Sequence, residues 1–347
     1  MYAMRTLVFA SLVVGVVGSA RGEPLGSGAS DGSGATPSST DAPPAPPPKP
    51  TGTFYVGASY ATGVGYGANA GISQSNLFHT GNALSLDATI SERVQRFDMR
   101  FVDPHLAGGR MTLTVDVYND RRLLGATEVW REAAGVDVSL STKLSDHVHA
   151  FVGYRIEDVK DTGVIAWLRS GLDYTTLNTS AAPTRGTSMG VTEAVGKVDG
   201  DGVDLVRVDA WFNTHQPLGP FIVHTGGRFA AVASPQGDVP FSEMLFFGGP
   251  IDIRGFGYGE GPGAIEPANA MASWRSELEL PIAHEVSVRG FWDVGALYNS
   301  SANQGILAQS VGGGVLWRSP LGPISVDYAI PFVGTAPHWL LAFGQTF

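Results

Sequence analysis

The chain has 347 residues, of which 46 are glycine, 22 are proline and only 16% are charged. Glycine at this level without a collagen repeat is typical of a turn-rich β protein. The formal net charge of −10 argues against nucleic acid as a partner, and the absence of cysteine excludes disulfides and thiolate metal sites.

The first residues have the composition of a secretory signal. Arg5 supplies a positive charge, residues 7–17 are a short apolar segment, and small residues follow near Ala20 and Gly22. This segment is too short to span a bilayer, and it has the order of a cleaved peptide. We predict a signal peptide over residues 1–22, cleaved between Ala20 and Gly22, with a retained anchor helix as the alternative.

Residues 23–52 are rich in Gly, Ser, Asp and Pro and include the run PPAPPPKP. Such a segment has almost nothing to bury, so we predict a disordered linker that stays extended near its prolines. The folded body is predicted to occupy residues 53–347.

Alternation of apolar and polar residues recurs throughout the body. In residues 111–118, Met, Leu and Val alternate with Thr, Asp and Tyr, and residues 274–280, 286–294 and 324–330 behave in the same way. A period of two predicts β-strands with two chemically different faces. A soluble sandwich points the apolar face inward, whereas a membrane barrel points it outward around a polar lumen.

Three features favour the barrel: the predicted export, the absence of a helical pattern after the signal, and a terminal phenylalanine on an alternating strand. Closure also removes the unpaired sheet edges that promote aggregation. The body accommodates sixteen strands of ~10 residues, but twelve or fourteen strands also fit its length.

Several segments resemble, in the right order, the motifs of the BamA/TamA superfamily of bacterial surface antigen barrels. These segments are GISQSNLFHTGNALSL (71–86), MRFVDPHLAGGR (99–110), IRGF (253–256), E-x-x-x-P (277–281), FWDVG (291–295), RSPLGPISVDYAIPF (318–332) and LAFGQTF (341–347). The resemblance covers essentially residues 53–347. It implies an all-β transmembrane barrel of sixteen antiparallel strands. Members usually carry POTRA domains before the barrel, whereas here the predicted linker occupies that place.

The resemblance also implies a site. The loop with Arg254, Gly255 and Phe256 is expected to fold into the lumen, where Arg254 meets Glu277 and Asp293, and alternation independently places both carboxylates on the polar face. A wet lumen is expected to screen this contact. Glu277 and Glu279 form a lumen pair on one strand, and this pair is interpreted as a partner for Arg254 and Arg289.

The chain's last residues resemble the terminal strand of the family. Phe343, Gly344 and Phe347 are therefore expected to act as an assembly signal.

The function implied is help in inserting, assembling or exporting proteins at the bacterial outer membrane, with the N-terminus in the periplasm. The expected partners are the outer-membrane bilayer and nascent outer-membrane proteins or another assembly component. The short or weak seam between the first and last strands is expected to pair with an incoming strand. The alternative is a passive or gated pore with the Arg254 loop as its constriction.

The hypotheses that the chain is an enzyme or holds a metal ion have weaker support. GTSMG at residues 186–190 matches G-x-S-x-G, but it is expected to open a strand rather than a nucleophile elbow. His147 and His149 share one predicted strand face, and two histidines are too few for a metal site. We therefore expect no enzyme activity and no cofactor.

Overall fold

The computed structural model describes residues 51–179, 183–199, 204–249, 252–259, 267–319 and 322–343. The predicted signal peptide and nearly all of the predicted linker lie outside the described residues. The first strand begins at Gly52, which the sequence assigned to the end of the linker, because Gly52 pairs with Gln74 of the next strand.

The described chain consists of sixteen antiparallel strands in chain order. They are β1 (Gly52–Ala61), β2 (Gly65–Leu77), β3 (Asn82–Ser91), β4 (Val94–His105), β5 (Met111–Leu123), β6 (Trp130–Lys143), β7 (Val148–Val159), β8 (Gly163–Thr175), β9 (Gly186–Val198), β10 (Asp204–Leu218), β11 (Phe221–Ala233), β12 (Ala270–Pro281), β13 (Val286–Asn299), β14 (Gln304–Ser319), β15 (Gly322–Pro331) and β16 (His338–Phe343). Each strand pairs with the next, and β16 pairs with β1, so the sheet closes into a barrel. The predicted fold and strand count are confirmed.

Only two helical turns occur in the described residues, Leu106–Gly109 and Phe241–Glu243. No helix in this part of the chain is long and apolar enough to cross a membrane.

The faces of the strands are inverted relative to a soluble sandwich. On β5, Thr114, Asp116 and Tyr118 are buried inside the barrel, whereas Val117 on the opposite face is 40% exposed. Four tryptophans also point outward, namely Trp274, Trp292, Trp317 and Trp339. An apolar exterior around a polar interior is the arrangement that a bilayer stabilises.

The longest connection runs from residue 234 to residue 269 between β11 and β12; we call it the long loop, and its described residues pack against the inside of the barrel wall. Leu245, Phe247, Ile253 and Phe256 of this loop are buried in one apolar cluster with wall residues such as Leu205. Burying such side chains stabilises the folded state by roughly 1.5–3 kcal/mol each. The lumen therefore has an apolar centre at this end as well as polar walls.

The described part of the seam between β1 and β16 is short. Among the described residues, Tyr60 pairs with Phe343 and Ala61 with Ala342, and the Thr62 backbone N–H donates to the Leu341 carbonyl at 2.9 Å. By contrast, β1 pairs with β2 along its whole length, from Gly52 to Ala61.

The closed ladder predicts heat-modifiable migration. In detergent without heating, the barrel should stay closed and migrate differently from the boiled chain, since opening it exposes backbone groups along every strand. Gel electrophoresis of heated and unheated samples from the outer-membrane fraction measures this. Identical migration, or recovery as a soluble periplasmic protein, would contradict the barrel.

Candidate functional site

The segment around Arg254 forms a compact turn. The Gly249 N–H donates to the Phe256 carbonyl at 2.9 Å, and the Ile253 N–H donates to the Gly249 carbonyl at 3.1 Å. Gly255 has a φ of +93°, in the left-handed region, and a Cβ there would lie 3.0 Å from Pro331 Cγ. Glycine therefore permits both the turn and its close approach to β15.

Arg254 makes a three-point contact with Asp293 of β13. Its Nε donates to Asp293 Oδ2 at 2.8 Å, its Nη2 donates to Oδ1 at 2.8 Å, and its backbone N–H donates to Oδ2 at 3.1 Å. Its remaining terminal nitrogen, Nη1, donates to Glu277 Oε2 on β12 at 2.5 Å. One planar guanidinium thus holds two carboxylates, which a lysine ammonium has no geometry to do.

Neighbouring groups fix the guanidinium and the backbone of the turn. The Arg254 guanidinium carbon lies 3.6 Å from the centre of the Phe291 ring. Ser310 Oγ donates to the Arg254 carbonyl at 2.5 Å, and Thr335 Oγ1 donates to the Gly255 carbonyl at 2.9 Å. The turn is therefore attached to β13, to β14 and to the connection between β15 and β16.

The site is dry, contrary to the expectation of a screened contact in a wet lumen. Arg254 is 4% exposed and Asp293 is fully buried. The apolar cluster of the long loop lies beside them and accounts for this burial. Burial opposes the charged guanidinium, but the ion pairs with Asp293 and Glu277 outweigh it and raise the pKa of Arg254 above its ordinary value.

The ion-pair network continues along the same wall. Arg289 of β13 forms a bidentate pair with Asp327 of β15, at 2.8 and 2.6 Å, and lies 3.6 Å from Glu277. The interpretation of the lumen pair as a partner for Arg254 and Arg289 is confirmed for Glu277 but was wrong for Glu279. Its partners are Arg318 at 2.7 Å, Ser287 at 2.6 Å and His224 at 2.9 Å, because it lies one strand repeat beyond Glu277 and away from the loop.

A second part of the wall is basic. Six arginines of strands β5 to β8, β10 and β11, which we call the basic wall, project into the lumen: Arg122, Arg131, Arg155, Arg169, Arg207 and Arg228. The long loop offers them carboxylates. Glu243 accepts from Arg131 at 2.8 Å and lies 3.8 Å from Arg207, and Asp252 lies 3.9 Å from Arg228. Burial raises the pKa of Asp252, which its distant partner Arg228 only partly offsets.

Sequence reasoning did not single out Glu243, Asp252 or Arg131. The sequence does carry a signal for Arg131 and Glu157, because both lie on the polar faces of alternating strands and they pair at 2.8 Å across β6 and β7. No comparable signal exists for Glu243 and Asp252, because loop residues have no period.

The structure brings Arg254, Gly255, Phe256, Glu277 and Asp293 together at one site. Phe343 ends β16 and pairs with Tyr60 and Ile324. Gly344 and Phe347 lie outside the described residues, so the assembly signal stays a prediction.

The enzyme and metal candidates have ordinary surroundings. GTSMG opens strand β9, as expected, and Ser188 is buried in the barrel. His147 and His149 do not share a strand face, because β7 begins at Val148 and His147 lies in the preceding turn.

One group of side chains in the described residues has metal-ligand spacing: ligand atoms of His224, Glu277 and Glu279 lie within 4.8 Å of one another. Both carboxylates are already held by arginines, Glu277 by Arg254 and Glu279 by Arg318. The positive charges of these two arginines repel a metal cation, so the three candidate ligands fit a metal ion poorly.

Removing the cation should destabilise the barrel. In Arg254→Ala, Asp293 stays buried without its partner, which costs ~3–5 kcal/mol in a dry site. Arg254→Lys should recover only part of this loss, because it keeps the charge but loses the planar fork. Urea unfolding followed by tryptophan fluorescence measures the change, with exposed Arg185→Ala as the control. A loss for Arg254→Ala no larger than for Arg185→Ala would contradict a buried brace.

Crowding the loop should undock it without opening the barrel. A Cβ at Gly295 of β13 would lie 2.3 Å from Phe247 Cε2 and 2.5 Å from Ile253 Cδ1, whereas at Gly290 of the same strand the nearest atom is 3.9 Å away. Arg254 is the only Lys or Arg between Arg228 and Arg275. Trypsin should therefore cut Gly295→Ala at Arg254 faster than wild type or Gly290→Ala, with heat-modifiable migration retained. Equal resistance of all three proteins would show that the loop does not depend on this contact.

Comparison with known proteins gives the family. Residues 76–338 match the Omp85 superfamily domain. The chain is 26% identical over 318 residues to outer membrane protein assembly factor BamA of Nitratidesulfovibrio vulgaris, covering 81% of this chain and 39% of that protein. It is 25% identical over 360 residues to BamA of Neisseria meningitidis serogroup B, covering 81% and 44%. The chain thus spans about two fifths of the length of these curated relatives.

Solved structures agree on the fold. BamA from Haemophilus ducreyi lacking POTRA domains 1–3 superposes with a TM-score of 0.75 at 22% identity, covering 86% of this chain and 71% of that one. CdiB from Acinetobacter baumannii superposes with a TM-score of 0.55 at 14% identity, covering 84% and 58%. The ordered motifs, the closed sixteen-strand barrel and the match over most of its length show that the chain belongs to the Omp85 superfamily, with a barrel of the BamA/TamA type.

Proposed function

We propose that this barrel assists the insertion, assembly or export of proteins at the bacterial outer membrane, with its N-terminus in the periplasm. The observation that carries the proposal is the short seam between β1 and β16, in a chain that belongs to the Omp85 superfamily. BamA relatives named as outer membrane protein assembly factors support the same function.

The seam suits strand addition. Along β1, residues 52–59 have no pairing with the described residues of β16, whereas their other edge is fully paired with β2. A backbone edge of this kind accepts an incoming strand through main-chain hydrogen bonds, and main-chain bonds are indifferent to sequence. The edge can therefore pair with incoming strands of many different sequences.

The side chains of β1 indicate which pattern of side chains an incoming strand needs. Phe54 and Val56 are exposed on the outer face, while Tyr55 points inward and donates a hydrogen bond to Asp87. A strand paired with this edge meets lipid on one face and a polar lumen on the other. Alternating strands of nascent outer-membrane proteins have that pattern.

A passive or gated pore is the second candidate. The long loop opposes it, because Leu245, Phe247, Ile253 and Phe256 fill the lumen at one end and Arg254 is buried against the wall. Conduction would require the loop to leave this position. Low conductance in planar bilayers for both wild type and Gly290→Ala is the outcome that agrees with an assembly role.

A disulfide across the seam tests the proposal. Ala61 and Ala342 are partners across β1 and β16, and partners on adjacent strands lie within disulfide reach. The chain has no native cysteine. Ala61→Cys with Ala342→Cys should therefore lock the seam without competing thiols. The matched control is Ala58→Cys with Ala68→Cys, a pair in the permanent β1–β2 ladder.

In cells lacking the chain, the outer-membrane protein profile should fall, and wild type and the control pair should restore it. The locked seam should restore it only after reduction. An unchanged profile in cells lacking the chain would exclude the assembly function. Restoration by the oxidised seam pair would exclude the seam mechanism alone.

A further inference from the structure

A cavity of about 250 Å³ lies between the long loop and the basic wall. All six basic-wall arginines line it, as do Arg93 from the connection between β3 and β4 and Thr192 from β9. The loop closes the cavity with Glu243, Asp252 and Tyr258. Its lining includes none of Arg254, Glu277 and Asp293, so it is separate from the site that holds Arg254.

The charges around the cavity do not balance. Its lining holds seven arginines and four carboxylates, Glu157, Asp209, Glu243 and Asp252, an excess of three positive charges. Asp120 pairs with Arg122 at 3.0 Å, and Asp137 pairs with Arg155 at 2.9 Å and also with Arg169. Counting these two carboxylates still leaves one positive charge in excess. Where the lining is buried, as at Arg131 and Glu157, such a charge favours an anion, since the interior screens it weakly.

Two buried polar groups of the lining have unused hydrogen-bonding atoms. Arg131 is 4% exposed and Thr192 is 9% exposed. Within the described residues, Arg131 Nη1 and Thr192 Oγ1 have no hydrogen-bond partner. Buried donors without partners are rare in folded proteins, and each one requires an explanation. An acceptor with several oxygens in this cavity offers partners to groups of this kind.

Arg93 adds a guanidinium that is not paired with a carboxylate in the described chain. Its Nη1 donates to the Gly125 carbonyl at 2.8 Å, and its guanidinium lies 5.6 Å from the centre of the Tyr258 ring. Both contacts are neutral, so they hold the side chain in place without consuming its charge.

We propose that this cavity binds a small oxyanion, either inorganic phosphate or the phosphate group of an ester. Guanidinium groups match the geometry of phosphate and donate to it through paired, charge-assisted bonds. The cavity is larger than one water molecule, about 30 Å³, yet smaller than the ~300–1,000 Å³ of sites for drug-sized ligands. The proposal does not rest on the assembly function.

Isothermal titration calorimetry of the full chain in detergent and phosphate-free buffer tests this site, with inorganic phosphate and glucose 1-phosphate as probes. Saturable binding of inorganic phosphate identifies the free ion as a ligand, and binding of glucose 1-phosphate alone identifies an ester. Arg93→Gln should weaken the Kd roughly tenfold or more, as the loss of one charge-assisted bond implies. Thr192→Val, which keeps shape and removes only the hydroxyl, should weaken it by about threefold.

The matched control is Arg100→Gln, the same charge change on β4 at a lumen position outside the cavity, where Arg100 donates to Asp116 at 2.5 Å. Its Kd should stay within about twofold of wild type. Heat-modifiable migration of each variant verifies that the barrel is folded. The proposal is overturned if neither probe binds saturably, or if Arg100→Gln weakens binding as much as Arg93→Gln.

Discussion

The contact between Arg254 and Asp293 is the constraint on which the interior of this barrel depends. A guanidinium that is 4% exposed and a carboxylate that is fully buried have both lost their water. Such groups are tolerated only when each satisfies the other, and here two side-chain bonds and one backbone bond do so. The pair therefore contributes position more than stability: the loop has one place where its charge is matched.

The loop is held from two sides by opposite charges. It presents Arg254 to the acidic residues of β12 and β13, and it presents Glu243 and Asp252 to the basic wall. The same loop buries Phe247 and Ile253 in the apolar cluster. The ion pairs fix the position of the loop. Apolar packing around them strengthens these ion pairs, because it lowers the local dielectric constant.

The alternation of apolar and polar residues predicted the strands of the barrel wall. The family resemblance predicted the contact of Arg254 with Glu277 and Asp293. Alternation placed Glu277 and Asp293 on the polar face because a strand has a fixed period of two. The same rule had no means of pairing Glu279 with Arg318, since that choice depends on the register between β12, β13 and β14. Glu243 and Asp252 lie in a loop, where position follows from long-range packing. The burial of the site likewise depends on long-range packing, such as that of Leu205 of β10 in one cluster with Phe247 of the loop.

The loop and the seam are physically connected. Thr335, in the connection between β15 and β16, donates to the Gly255 carbonyl, and Thr62, in the connection after β1, donates to Leu341 of β16. The described seam pairs at two positions, and each hydrogen bond there contributes only ~0.5–1.5 kcal/mol net. In hydrocarbon, however, an unsatisfied backbone group costs several kcal/mol, so an opened edge is stable only when another strand replaces the one that left. Under the proposed function, a short seam in a bilayer would therefore favour exchange of one strand for another over simple opening, and the Thr335 contact ties the docked loop to the connection that leads into β16.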